Sequence, residues 1–229
     1  MAAVLGVDGC PGGWVGALVG AEGQISWHVG SFAQMLALRA EVVAVDIPIG
    51  LPSGGARRQA DVAARRILGA SASSVFFTPC REVLAASDHL SASELSRAAG
   101  GVGVSVQTYS ILPKIREVDE LLQANVLLRS RVVEAHPEVS FRHLMQESSR
   151  DAEPLPRKVL ASGRAARLAL LRSWQPHVQL PSPRPGRCSA DDCLDALVCA
   201  WTGWRFLRGE AQVLGGEVDA KGLPMRICS

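Results

Sequence analysis

Three acidic residues stand where apolar runs end: Asp8 closes AVLGV, Asp46 closes EVVAV and Glu134 closes RVV. A second group, Asp191, Asp192 and Asp195, opens the apolar run ADDCLDALVCAW. Short Val-rich runs read as buried strands, and carboxylates at the ends of neighbouring strands meet on one rim of a sheet. Acids three or four residues apart on a helix share a face, so Asp191 or Asp192 pairs with Asp195 there. Carboxylates gathered at one point repel each other unless cations lie between them. The chemistry that suits such a cluster is divalent-metal catalysis, in which two ions about 3.5–4 Å apart clamp the attacking and leaving oxygens of a phosphodiester. Each acid also has a structural reading. An Asp at a strand end bonds the turn that follows, and Asp191 or Asp192 serves as a helix cap.

Positioning such a cluster needs particular elements. Residues 2–8 read as a buried strand, GCPGG as a turn into WVGALVG, and QISWHVG as a third strand after Glu22 and Gly23. Short connections between them make an antiparallel meander. SFAQMLALRA reads as a short helix capped by Ser31, and EVVAVDI as a fourth strand closed by Pro48 and Pro52. From Arg57 to about Arg129 the period turns helical, which predicts a helical insertion over about residues 53–130. Within it Asp61 and Arg65, and Arg116 and Glu120, stand four apart as ion pairs on exposed helix faces. RVVEAHPEVSF resumes strand character, QLPSPRPGRC is a Pro-rich loop, a helix spans Asp191–Leu207, and MRICS gives a short last strand. This is the order of elements of the ribonuclease H fold. It predicts a single α/β domain over residues 1–229, with a mixed five-stranded sheet in the order 3-2-1-4-5 and flanking helices. In that topology Asp8, Asp46 and Glu134 lie side by side, and the terminal helix carries Asp192 and Asp195 to the same point.

Composition narrows the function classes. The chain has 229 residues, of which 48% are hydrophobic and 20% charged, the balance of a globular protein and not of a disordered one. No stretch approaches the roughly 18–20 apolar residues of a membrane span, and MAAVLGVDGC has no basic leader region. The expectation is a cytoplasmic protein with no membrane partner. Six cysteines, at 10, 80, 188, 193, 199 and 228, form no C-x-x-C pair, so neither a zinc site nor a disulfide scaffold is indicated.

A formal net charge of +2 is too small to argue for nucleic acid by itself. Local groups say more: Arg57, Arg58, Arg65 and Arg66 fall on one predicted helix, and Arg157, Lys158, Arg164 and Arg167 fall near another. Arg65 and Lys158 are the candidates for substrate phosphate oxygens, with solvated surface charge as the alternative. His136 is a candidate acid or base, or a structural hydrogen-bonder before Pro137.

GVDGCPGGWVGA, VDIPIGLP, the run from Arg58 through Ala64 and Arg65 to SSVFFTPCR, EAHPEVSF and DDCLDAL together resemble the domain of unknown function 429 family, described as ribonuclease H-like nucleases. The resemblance covers nearly the whole chain. It implies a metal-dependent nuclease, with Mg²⁺ or Mn²⁺ as cofactor and nucleic acid as partner. Similarity to the wider superfamily implies that Asp8 is the central metal bridge, Asp46 the second ligand, and Asp192 and Asp195 the helix-borne ligands, with Glu134 an addition from the fifth strand. GVDGCPGGW also resembles the phosphate-binding hairpin of the sugar kinase and actin superfamily. That makes a nucleotide-binding protein the alternative, beside a non-catalytic scaffold.

Overall fold

The computed structural model describes residues 2–148 and 155–229. The chain divides into two compact units, the first made of Met1–Asp46, Arg131–Gln212 and Cys228–Ser229, the second of Ile47–Ser130 and Val213–Ile227. The second unit is wider than the expected insertion and takes in a late segment as well.

Unit one is built on β1 (Ala3–Cys10), β2 (Gly13–Gly20), β3 (Ile25–Gly30), β4 (Val42–Val45) and β5 (Val132–Glu134), in the sheet order β3-β2-β1-β4-β5. β1, β2 and β3 form the antiparallel meander, and β4 joins β1, and β5 joins β4, in parallel. The α/β fold class and the 3-2-1-4-5 order are therefore those the sequence predicts. Ser31 caps α1 (Phe32–Ala37) through a reciprocal capping box with Gln34. The strand character expected through EVSF gives way to α5 (Pro137–Ser148). Pro137 opens that helix, where its missing N–H costs no bond and its fixed φ suits the first turn.

Helix α6 (Ala161–Trp174) and helix α7 (Ala190–Leu207) complete unit one. α7 lies flush on the sheet because small residues face it at both sides of the contact. A Cβ placed on Gly6 would sit 2.0 Å from the Ala196 carbonyl oxygen and 2.2 Å from the Ala200 nitrogen, and one on Gly203 would sit 2.3 Å from Val4. Ala196, Ala200 and Gly203 recur at helical spacing, so the helix presents a narrow stripe to β1. Val4, Val42, Ala44, Val133, Ala135 and Cys199 form one buried cluster of this layer, and Val15, Ala17, Leu194 and Leu197 belong to another.

Unit two carries α2 (Gln59–Leu68), α3 (His89–Ala98), α4 (Val106–Ala124) and the two-stranded sheet of β6 (Val213–Val218) with β7 (Pro224–Cys228), whose last residue belongs to unit one. Gly215 on β6 approaches α2 so closely that a Cβ there would lie 3.0 Å from the Ala60 Cβ, which is why the late hairpin joins the helices of the insertion. The expected exposed ion pairs are not what the helices make. Asp61 is 1% exposed and pairs with Arg58, whose Nε and Nη2 donate to Asp61 Oδ1 at 3.0 and 2.5 Å. Arg116 donates to the Leu84 carbonyl. Among the described residues no helix is long and apolar enough to cross a membrane.

Candidate functional site

Asp8 and Asp46 come together because β1 and β4 are parallel neighbours. Val7 faces Val45 in register, and the Asp46 N–H extends the ladder by donating to the Val7 carbonyl at 2.9 Å. Side chains alternate along a strand, so Asp8 shares a face with Val4 and Gly6, and Asp46 shares it with Val42 and Ala44. That is the face α7 covers. Asp195, one residue before Ala196, therefore enters the same space from the helix. Asp8 is 9% exposed and Asp195 3%, and so little water reaches either that each must find a partner or lose its charge.

Register also removes one expected member. Glu134 is level with Val45, one residue short of Asp46, so the pleat turns it to the face opposite α7. It is buried, but it does not lie side by side with Asp8 and Asp46. Strand identity was readable from RVV; the one-residue phase was not.

The helix-borne acids divide their roles. Ser189 caps α7, its hydroxyl accepting the Asp192 N–H at 3.1 Å, while Asp192 Oδ2 accepts the Ser189 N–H at 2.8 Å. Asp192 is thus the reciprocal partner of a capping box, although its charge still acts on Asp8. Asp191 Oδ1 lies 3.9 Å from Arg164 Nη1. Asp195 points inward, with Oδ2 accepting from Lys158 Nζ at 2.8 Å and Oδ1 buried with no hydrogen-bond partner among the described residues.

Lys158 is held on a clamped loop. Arg167 donates to the Pro156 carbonyl at 2.8 Å, and Arg164 to the Lys158 and Val159 carbonyls at 3.3 and 3.0 Å. Gly163 lets this loop cross the first turn of α6, since a Cβ there would sit 2.1 Å from the Arg157 carbonyl oxygen. Arg167 also grips both oxygens of Glu138 at 2.9 and 2.8 Å. Lys158, Arg164 and Arg167 of the basic group near α6 are therefore engaged with acids and loop carbonyls, whereas Arg157 is exposed as the solvated alternative has it.

The electrostatics follow from this geometry. Burial, then the charges of Asp195, Asp46 and Asp192, raise the Asp8 carboxyl well above the ordinary aspartate value, with Lys158 acting against them. Burial also pushes Asp46 up to about 7, opposed by Lys158 and assisted by Glu138. Asp195 rises to about 6 through burial, against the charge and hydrogen bond of Lys158. Burial works to lower the Lys158 value, but Asp195, Glu138 and Asp46 carry it above that of an ordinary lysine. Cys199, one helical turn beyond Asp195, feels the same field: burial and then Asp46, Asp8 and Asp195 hold its thiol far above the usual range.

One ammonium thus serves several carboxylates. The donor set is hard oxygen, which suits Mg²⁺ or Mn²⁺, and the orphaned Asp195 Oδ1 is an acceptor that a cation would satisfy. As the side chains stand, no group of three His, Cys, Asp or Glu among the described residues is disposed around one ion. Lys158 occupies Oδ2 of Asp195. The residues fit a divalent ion in the chemistry of their oxygen donors.

His136 occupies the turn between β5 and α5, its carbonyl accepting the Ser140 N–H. Arg65 belongs to unit two, where Nη1 donates to the Ala72 and Val75 carbonyls and the guanidinium lies over Phe77. Lys158 as a partner of Asp195, and Glu138 as a charge acting on Asp46 and Asp195, were not legible in the sequence.

Residues 6–220 match the family described as Protein of unknown function (DUF429). No curated protein and no solved structure matched the chain.

Proposed function

The chain belongs to the DUF429 family, and from that premise together with the acid cluster we propose that it is a divalent-metal-dependent nuclease hydrolysing phosphodiester bonds in nucleic acid. The observation that carries this reading is that the parallel neighbours β1 and β4 bring Asp8 and Asp46 to the face that α7 covers with Asp195, where burial raises all three carboxyls and the Lys158 ammonium opposes the rise. A fold does not need such a cluster, and strongly shifted buried groups concentrate at functional sites. The sheet order and strand directions support kinship with ribonuclease H-like enzymes. A cytoplasmic setting, where thiols stay reduced, suits six buried cysteines.

Asp8, Asp46 and Asp195 would hold the ions, with Asp192 contributing through the oxygen not used in its cap. Bound Mg²⁺ or Mn²⁺ would supply a Lewis acid and water that ionises near neutral pH. The chain's own part is positional. Gly6 and the small stripe of α7 fix the distance between helix and strand carboxylates, and the α6 clamp keeps Lys158 beside them. Lys158, held beside Asp195, would offer a positive charge to a phosphate oxygen, a point charge without the fixed fork of an arginine. Glu134 is left outside this set because it occupies the other face of the sheet.

Purified protein with Mn²⁺ is expected to cleave at least one of single-stranded, duplex, hybrid or branched nucleic acid, and to stop in EDTA. Inactivity on all four, with measurable ATP binding, would replace this reading with the phosphate-binding alternative.

A further inference from the structure

Unit two contains a cavity of about 320 Å³ that the carboxylate chemistry does not use. Two glycine-bearing loops close one end of it: a Cβ on Gly55 would lie 2.2 Å from the Gly100 carbonyl oxygen, and Gly54 and Gly100 adopt φ of +65° and +86°. A third wall is the extended segment after α2, which presents Phe76, 39% exposed, and Phe77. Two guanidinium groups lie over the Phe77 ring, that of Arg57 at 3.9 Å from its centroid and that of Arg65 at 4.8 Å. They are not equivalent. Arg65 is engaged by the Ala72 and Val75 carbonyls, whereas Arg57 makes no hydrogen bond or ion pair with any described residue. No Asp or Glu lines the cavity.

An apolar, aromatic-walled cavity with one uncommitted guanidinium and no lining carboxylate selects a particular chemistry. A planar ring gains aromatic contact from the exposed Phe76, and an anionic group attached to it gains charge-assisted hydrogen bonds from a fork that is already held flat by Phe77. The volume lies at the lower end of the range for small-molecule sites, enough for one ring system with its anion and too little for a dinucleotide. We propose that this cavity binds a small planar ring carrying one anionic group, with the anion on Arg57 and the ring against Phe76. The anion is the phosphate of a nucleoside monophosphate or the carboxylate of an aromatic acid. The proposal does not depend on the nuclease reading.

The test is calorimetric titration of the full chain in EDTA, so that no metal can recruit ligands to the carboxylates. The probes are adenosine 5′-monophosphate, uridine 5′-monophosphate and 2-aminobenzoate, with adenosine and inorganic phosphate as half-ligands. Binding by the monophosphates identifies a nucleotide source, and binding by 2-aminobenzoate identifies an aromatic acid. In either case both half-ligands should bind at least tenfold more weakly. Arg57→Gln should weaken binding about tenfold, the loss of one charge-assisted contact, and Arg57→Lys by less. Arg57 is exposed, so neither change threatens the fold. Phe76→Ala should weaken ring binding while Asp8→Asn leaves it unchanged. No binding by any ring anion, indifference to Arg57→Gln, or loss in Asp8→Asn would overturn the proposal.

Discussion

Both units bury carboxylates, and they treat them in opposite ways. In unit two, Asp61 accepts from Arg58 and from the Thr78 N–H at 2.8 Å. Asp119 takes a two-pronged grip from Arg81 at 2.8 and 2.9 Å. Asp219 accepts from Arg81 and from the Leu51, Lys221 and Leu223 N–H groups. Burial alone would raise Asp219, yet those donors together hold its carboxyl below the usual value. In unit one, Asp8, Asp46 and Asp195 are raised, and one lysine stands among them. A buried acid whose lone pairs are filled is part of the frame. Asp195 in unit one keeps Oδ1 without a hydrogen-bond partner among the described residues.

The largest effect should come from breaking the satisfied network. Arg58 is 1% exposed and also donates to the Ile49 carbonyl at 2.9 Å, so Arg58→Met strands Asp61 in a buried site. The expected cost is about 3–5 kcal/mol, since an ion is left uncompensated. That lowers the melting temperature by roughly 10 °C in a chain of this size. Asp46→Asn in unit one should cost nothing in metal-free protein. Melting curves in which Arg58→Met is neutral and Asp46→Asn is the damaging change would invert the comparison.

Asp8→Asn comes next, and its effect falls on chemistry. Asparagine keeps the shape but removes the charge that would hold the ions, so Mn²⁺-dependent cleavage should fall by more than about 100-fold, the upper end of losses from outer-shell partners alone. The metal-free melting temperature at pH 8 should stay level or rise, because one repelling charge is gone. Cleavage that survives unchanged in a nuclease assay of the variant would remove Asp8 from the site.

The two units should also titrate in opposite windows. Asp46 and Asp195 have folded values of about 7 and about 6, above an unfolded value near ~3.9. Raised acids contribute stability that is fully present below the unfolded value and is lost as pH climbs through the folded ones. Metal-free protein should therefore melt lower at pH 8 than at pH 5, and Mg²⁺ should restore much of the difference by binding the folded form. Asp219 is lowered, so its contribution is present above the unfolded value and is lost only as pH falls below it. Scans in EDTA that show a flat profile between pH 5 and 8, or one that Asp46→Asn does not flatten, would contradict the unmet repulsion.

How much of this was legible follows from which distances sequence encodes. Strand and helix identity come from local periodicity, and with them the sheet order and the meeting of Asp8, Asp46 and Asp195. Glu134 failed because facing depends on register across two strands, which a three-residue run cannot fix. Asp192 read as a helix-borne ligand or as a helix cap, but the cap is Ser189, three residues back, with Asp192 its reciprocal partner. Arg58 and Asp61 read as surface in ARRQAD, because a buried ion pair is defined by its tertiary partners, here Ile49, Gly50 and Thr78.

The smallest predicted effect sharpens the comparison most, because it asks what the ammonium beside Asp195 does. Lys158 is joined to Asp195 at 2.8 Å, but its side chain is 42% exposed, so the pair holds Asp195 without being sealed from water. If the ammonium stands where a metal would go, Lys158→Met removes a tethered competitor. Manganese should then bind more tightly, by up to about fivefold, which is the scale of a partly exposed ion pair. Cleavage should nevertheless fall, since the charge offered to phosphate is lost with it. If Lys158 instead orients Asp195 for the metal, the same substitution weakens both. Titrating Mn²⁺ by electron paramagnetic resonance separates these outcomes, and weaker binding in the variant would make Lys158 part of the frame, as Arg58 and Arg81 are in unit two.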